Sequence, residues 1–156
     1  MENILNEYLK KIKFAIKHNV YAYMFIVSND EQIRNYFSSH ISLMEEIYVV
    51  ESIRMTHDEL NKKLTNNKGL LYIENRNTIE LDDSSLYYDL VNKREILWDN
   101  KKTIIVICND EISKNIFSSN ASLSTASWFY HIDDIIKTNG KSKKLIKWKK
   151  YNIVMI

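Results

Sequence analysis

The chain has 156 residues, 45% of them hydrophobic and 12% aromatic, with a net charge of +2. That is the size of one domain burying ~70% of its chain surface. No stretch approaches the ~20 apolar residues that span a bilayer, and a single cysteine, Cys108, excludes an internal disulfide and fits a reducing cytoplasm.

The alternating apolar and charged start, MENILNEYLKKIKFAIKHN, lacks the apolar block and cleavage site of a signal peptide. Ile4, Leu5, Tyr8, Leu9, Ile12, Ala15 and Ile16 recur at helical spacing and predict a helix ending near His18-Asn19. YAYMFIV, 21–27, predicts a buried strand. Ser28 or Asn29 is expected to cap the next helix, whose apolar face is Ile33, Tyr36 and Phe37. EIYVV, 46–50, reads as a second strand. THDE, 56–59, is a capping box opening a short helix with Leu60 and Leu64 inward.

GLLYIE, 69–74, is a third strand that ends on the acid Glu74. Asp82 to Ser85 cap a helix with Leu86, Tyr87, Leu90, Val91, Leu97 and Trp98 on one face. KTIIVIC, 102–108, is a fourth strand, followed by a short helix carrying Ile112, Ile116 and Phe117. A polar loop is expected over 118–127, a fifth strand over 128–132 and a helical turn over 133–138. YNIVMI, at the end, reads as a possible sixth strand. Strands apolar on both faces that alternate with helices imply a parallel sheet covered on both sides. The expected fold is one α/β domain over 1–156, a three-layer α/β/α sandwich with a mostly parallel sheet of five or six strands.

Charge is unevenly spread. Seven of the 22 basic residues lie in a basic segment over 137–150, and the other 15 face 20 acids, leaving −5 over 1–136. The segment interleaves Lys141, Lys143, Lys144, Lys147, Lys149 and Lys150 with Leu145, Ile146 and Trp148. It is a candidate anion or nucleic-acid patch, set against a solvated face around one apolar stripe. Arginines are few, which argues against base reading, so nucleic acid is not the expected partner.

Ligands of open α/β sheets bind beyond the carboxyl ends of the strands. Those ends read Ser28-Asn29-Asp30, Glu51-Ser52, Glu74-Asn75, Cys108-Asn109-Asp110 and His131-Asp133. A phosphate-binding loop needs glycines, a lysine and a Ser/Thr. The chain has no proline and only two glycines, Gly69 and Gly140, and the stretch after the first strand is SNDEQIRNYF. Its Asp30-Glu31 would repel phosphate. His18, His40, His57 and His131 show no metal-ligand spacing. No serine sits in a GxSxG elbow. Cys108, at a strand end, reads as an inert buried thiol. The pairs Asp82-Asp83 and Asp133-Asp134 read as helix caps. No catalytic residue, metal or cofactor is therefore expected. Asp30, Glu74 and Asn109 are the candidates should a ligand bind.

YAYMFIVSNDEQIRNYF resembles the first strand and helix of STAND-type signalling NTPases, relatives of the AAA+ class, with the phosphate loop lost. GLLYIENR resembles their Walker-B strand, with Glu74 at its acidic end. LVNKREILWDNKKTIIVICND resembles their N-x-x-R-x-x-L helix, through Asn92 and Arg94, and the sensor 1 strand after it. ASLSTASWFYHID resembles the segment that follows, without its proline. The resemblance covers about residues 1–135. It implies an inactive module of the kind found in bacterial conflict and antiphage systems, a sensor or scaffold acting through a protein partner in the cytoplasm. On that reading Glu74 is a relic or a surface contact. Self-association is left open.

MFIVSNDEQIRNYF also resembles the start of response-regulator receiver domains. There an aspartate should end the third strand, where this chain has Glu74. Asn29 replaces one metal-holding acid, and no clear lysine follows the fifth strand. That resemblance implies a pseudo-receiver. The two differ in strand order: the NTPase-like fold puts strand 4 between strands 1 and 3, and the receiver-like fold puts strand 3 beside strand 1. A third class is an enzyme using the strand-end carboxylates, which a divalent metal between Asp30 and Glu74 would favour.

Overall fold

The structure, a computed structural model, describes residues 2–20, 23–51, 62, 69–74, 103–119, 127–138, 146–148 and 153–155. The expected elements at 56–64, apart from the helical position 62, and at 82–98 lie outside them. So do Asn92, Arg94 and Gly140, and Lys141, Lys143, Lys144, Lys149 and Lys150 of the basic segment.

Helix α1 spans Glu2–Lys17 and buries Leu5, Tyr8, Leu9, Ile12, Ala15 and Ile16, the stripe expected from their spacing. Its end is set by Asn19, whose φ of 51° is left-handed. The Val20 amide donates to the Ala15 carbonyl at 3.0 Å and the Asn19 amide to Ile16 at 3.2 Å. This is the double closure of a Schellman motif, in which a short polar side chain tolerates the left-handed turn.

Strand β1, Tyr23–Val27, leads to α2, Glu31–Ile41, and then to β2, Ile47–Glu51. β3 is Gly69–Ile73 and β4 is Ile104–Cys108. Helix α3, Asp110–Ser119, precedes β5, Ser127–His131, which runs directly into α4, Ile132–Lys137. The polar loop expected over 118–127 is shorter than that, because Ser118 and Ser119 close α3 and Ser127 opens β5.

β1 to β5 form one sheet in the order β2-β3-β4-β1-β5, and every pair is parallel. Thus β4 lies between β1 and β3, as in the NTPase-like order; the receiver-like order would put β3 beside β1. On one face Met24, Ile26, Leu71, Ile105 and Ile107 join the inward residues of α1, Ile33, Phe37 and Ile41 of α2, and Ile132 and Ile135 of α4 in one cluster. Each fully buried aliphatic side chain there contributes ~1.5–3 kcal/mol. The alternate residues Phe25, Leu70, Tyr72, Ile104, Val106 and Phe129 are buried on the other face. Phe25 and Phe129 are cross-strand partners whose rings stack at 4.6 Å. β1 and β4 are buried along their full length, which matches their near-continuous apolar sequence.

The expected sixth strand does form, as β7, Ile153–Met155, but outside the parallel sheet. It pairs antiparallel with β6, Ile146–Trp148, inside the basic segment. The apolar-basic-apolar triplet at 146–148 has the period of two that suits a strand.

Gly69 is needed where β3 starts, for its space. A Cβ there would lie 2.6 Å from the Thr103 carbonyl oxygen and 3.1 Å from Ile47 Cδ1. Gly69→Ala is expected to lower stability by ~1–3 kcal/mol, since the clash is with backbone. Asn19→Ala should cost about 1 kcal/mol, whereas Asn19→Gly should be close to neutral, its left-handed ease offset by a more flexible unfolded chain. Urea unfolding of the three variants checks both signs.

Candidate functional site

The chain leaves β1 for the far edge at β2, returns through β3 to β4, and then steps across β1 to β5. Strand order therefore reverses around β1. The carboxyl ends of β1, β4 and β5 frame the crevice in which open α/β sheets take ligands. The register pairs Val27 with both Cys108 and His131, and Ile73 with Ile107, so one step further brings Glu74 level with Cys108. Glu74, Cys108, Val27 and His131 thus form one row across the sheet, with Ser28, Asn29 and Asp30 just beyond it.

The first two are held by an acid that the chain supplies from 104–105 positions away. Ser28 Oγ donates to Asp133 Oδ1 at 2.6 Å, and the Asn29 amide donates to Asp133 Oδ2 at 2.9 Å. The Asp30 amide donates back to Ser28 Oγ at 3.1 Å, and Arg34 Nη1 reaches from α2 to the Ser28 carbonyl at 2.7 Å. Asp30 accepts from the Gln32 amide at 2.9 Å. The cap of α2 is therefore Asp30, not Ser28 or Asn29 as expected. The physical reason is that Ser28 is committed to Asp133 and the Asn29 side chain to α3: Asn29 Oδ1 accepts from the Asp110 amide at 3.0 Å.

Asp133 also departs from the expected cap. It lies in the first turn of α4, whose N-cap position is His131 without a side-chain cap bond. Its carboxylate clasps the loop after β1 instead of its own helix end. Nothing local in the sequence marks this contact, since only the strand order brings β5 beside β1.

The three candidate residues have structural roles or are enclosed. Asp30 caps α2. Asn109 Oδ1 accepts from the Ile112 amide at 2.8 Å and so caps α3. Glu74 is 1% exposed and its amide continues the ladder to the Ile107 carbonyl at 2.9 Å. Being buried, it is not the surface contact that the resemblance allows. Of the basic segment, Lys147 is described only as part of β6.

Beside the clasp lies a cleft of ≈ 260 Å³ lined by Val27, Asn29, Asp110, His131, Asp133, Asp134 and Lys137. Three carboxylates face one lysine there, and Asp110 is paired with Lys114 at 2.9 Å. An incoming phosphate would meet acid on this side and Asp30-Glu31 on the other. Among the described residues no cluster of three His, Cys, Asp or Glu side chains is placed to hold a metal ion, and no helix is long and apolar enough to cross a membrane.

The Cys108 thiol is fully buried and is pushed well above the ordinary thiol range by that burial. Glu74 and Asp110 add to the effect and Arg34 opposes it. It stays a protonated thiol at neutral pH and is no nucleophile. His131, 7% exposed and ring-stacked against Phe129, is held below the ordinary histidine range by burial, although Asp134, Asp110 and Asp133 pull the other way.

The linkage sign for His131 is fixed by that direction. Unfolded, its imidazole takes a proton near the ordinary value of about 6.5; folded, it resists until lower pH. Below about pH 6.5 the unfolded state holds the extra proton, so stability falls as pH falls toward the folded value. Urea midpoints at pH 7, 6 and 5 should drop more steeply for the wild type than for His131→Gln; equal slopes would contradict this.

Comparison with protein-family models, with curated proteins and with solved structures finds no match to this chain.

Proposed function

We propose that this chain is a non-catalytic, P-loop-NTPase-like module that works through protein–protein contact, as a sensor or scaffold in a bacterial signalling or antiphage-defence assembly. The observation that carries this is the loop after β1. It has no glycine or lysine, and the Asn29 amide and the Ser28 hydroxyl already hold the Asp133 carboxylate. A nucleotide phosphate arriving there would have to displace a charge-assisted pair of hydrogen bonds and sit among acids.

Strand order supports the same reading, since β4 separates β1 from β3; the receiver-like alternative called for β3 in that place. Glu74 ends the strand on which an NTPase would carry its acid, but the loop it would serve is closed. Enzyme chemistry by another route gains little from these groups: the thiol is protonated, and Asp30 and Asn109 are spent on helix caps. At the other end of the sheet, Phe14 near the end of α1 and Leu43 after α2 are 62% and 81% exposed and offer apolar contact area.

The purified protein is expected to release no phosphate from ATP above the buffer rate. Steady turnover abolished by Glu74→Gln would overturn the proposal.

A further inference from the structure

We infer that Asp133 is a built-in anion: its carboxylate occupies the loop after β1 in place of any bound anion, and holds that loop closed without a ligand. This deepens the function proposed above, on which it partly rests, by assigning how the module keeps a ligand-bound form permanently.

The geometry is that of a ligand and its receptor inside one chain. Both carboxylate oxygens are used, one by the Ser28 hydroxyl at 2.6 Å and one by the Asn29 amide at 2.9 Å. The receptor side is organised around them. Ser28 is 1% exposed, its hydroxyl also accepts from the Asp30 amide, and Arg34 grips its carbonyl. The amide of Ser28 continues the ladder to Cys108 at 3.1 Å. Consecutive amides from Ser28 to Asp30 are thus all satisfied within the protein.

The side that supplies the carboxylate is equally fixed. Asp133 follows β5 by two residues, and Ile132 and Ile135 on either side of it are buried in the core. Its backbone cannot retreat without unpacking both isoleucines. The clasp therefore ties the β5 end of the sheet to the turn between β1 and α2. Charge-assisted bonds of this length are the stronger class, and Asp110 and Asp134, which line the adjoining cleft with Asp133, disfavour an external anion there.

Asp133→Ala tests this by chemical rescue. The variant is expected to melt several degrees below the wild type. Sodium formate at tens of millimolar, matched in ionic strength against sodium chloride, should restore a saturable part of the loss. The wild type and Asp134→Ala, which keeps the clasp, should show no shift beyond the chloride control. Should Asp133→Ala fail to fold, Asp133→Ser keeps a polar side chain but leaves the carboxylate position open. Its Asn29 and Asp30 amide resonances should move with formate, while those of the wild type stay fixed. Unchanged melting of Asp133→Ala, absence of rescue, amides in Asp133→Ser that ignore formate, or equal rescue of Asp134→Ala would each overturn the inference. ATP turnover reads the proposed function separately, so the two can fail independently.

Discussion

A strand buried on both faces carries few polar side chains along its length and gathers them beyond its last residue, and that constraint organises this molecule. β1 and β4 sit at the middle of a parallel sheet and are buried along their whole length. Ser28, Asn29, Asn109 and Asp110 therefore gather at one edge, where the backbone turns into α2 and α3. Every amide released at those turns needs an acceptor. The acceptors found here are Asp30 for α2, Asn109 and Asn29 for α3, and Asp133 for the turn itself.

What an NTPase would fill with phosphate is on this account filled from within. The substitution has an electrostatic logic. A glycine-rich loop presents bare amides and a lysine to a mobile anion; this loop presents its Asn29 amide and Ser28 hydroxyl to a carboxylate anchored by two core isoleucines. The first arrangement can cycle between filled and empty, and the second is filled without a ligand. On the proposed function, such a loop would present a partner with a fixed surface.

The elements that were legible in the sequence are those set by local pattern. The stripe of α1, the stop at His18-Asn19 and the runs of β1, β3 and β4 depend on neighbours three or four residues away at most, and they were read within a residue or two over the described positions. What escaped depends on strand order. Asp133 looked like a cap because its nearest helix starts beside it, yet its partners lie 104 and 105 positions back. Ser28 and Asn29 looked like caps for α2, and lost that role to Asp30 because Asp133 and α3 claimed them. Glu74, a relic or a surface contact on the resemblance, is buried, and its amide extends the ladder to β4. The last strand was legible as a strand, but its antiparallel partner at Ile146–Trp148 was hidden among lysines.

The most direct measurement is an amide nuclear magnetic resonance titration of the wild-type protein with magnesium ATP, following Ser28, Asn29, Asp30 and Glu74. These four resonances are expected to stay where they are up to millimolar nucleotide, because Asp133 already occupies the loop. A saturable shift centred on Asn29 and Asp30 would contradict it, and would show that the clasp opens to admit phosphate.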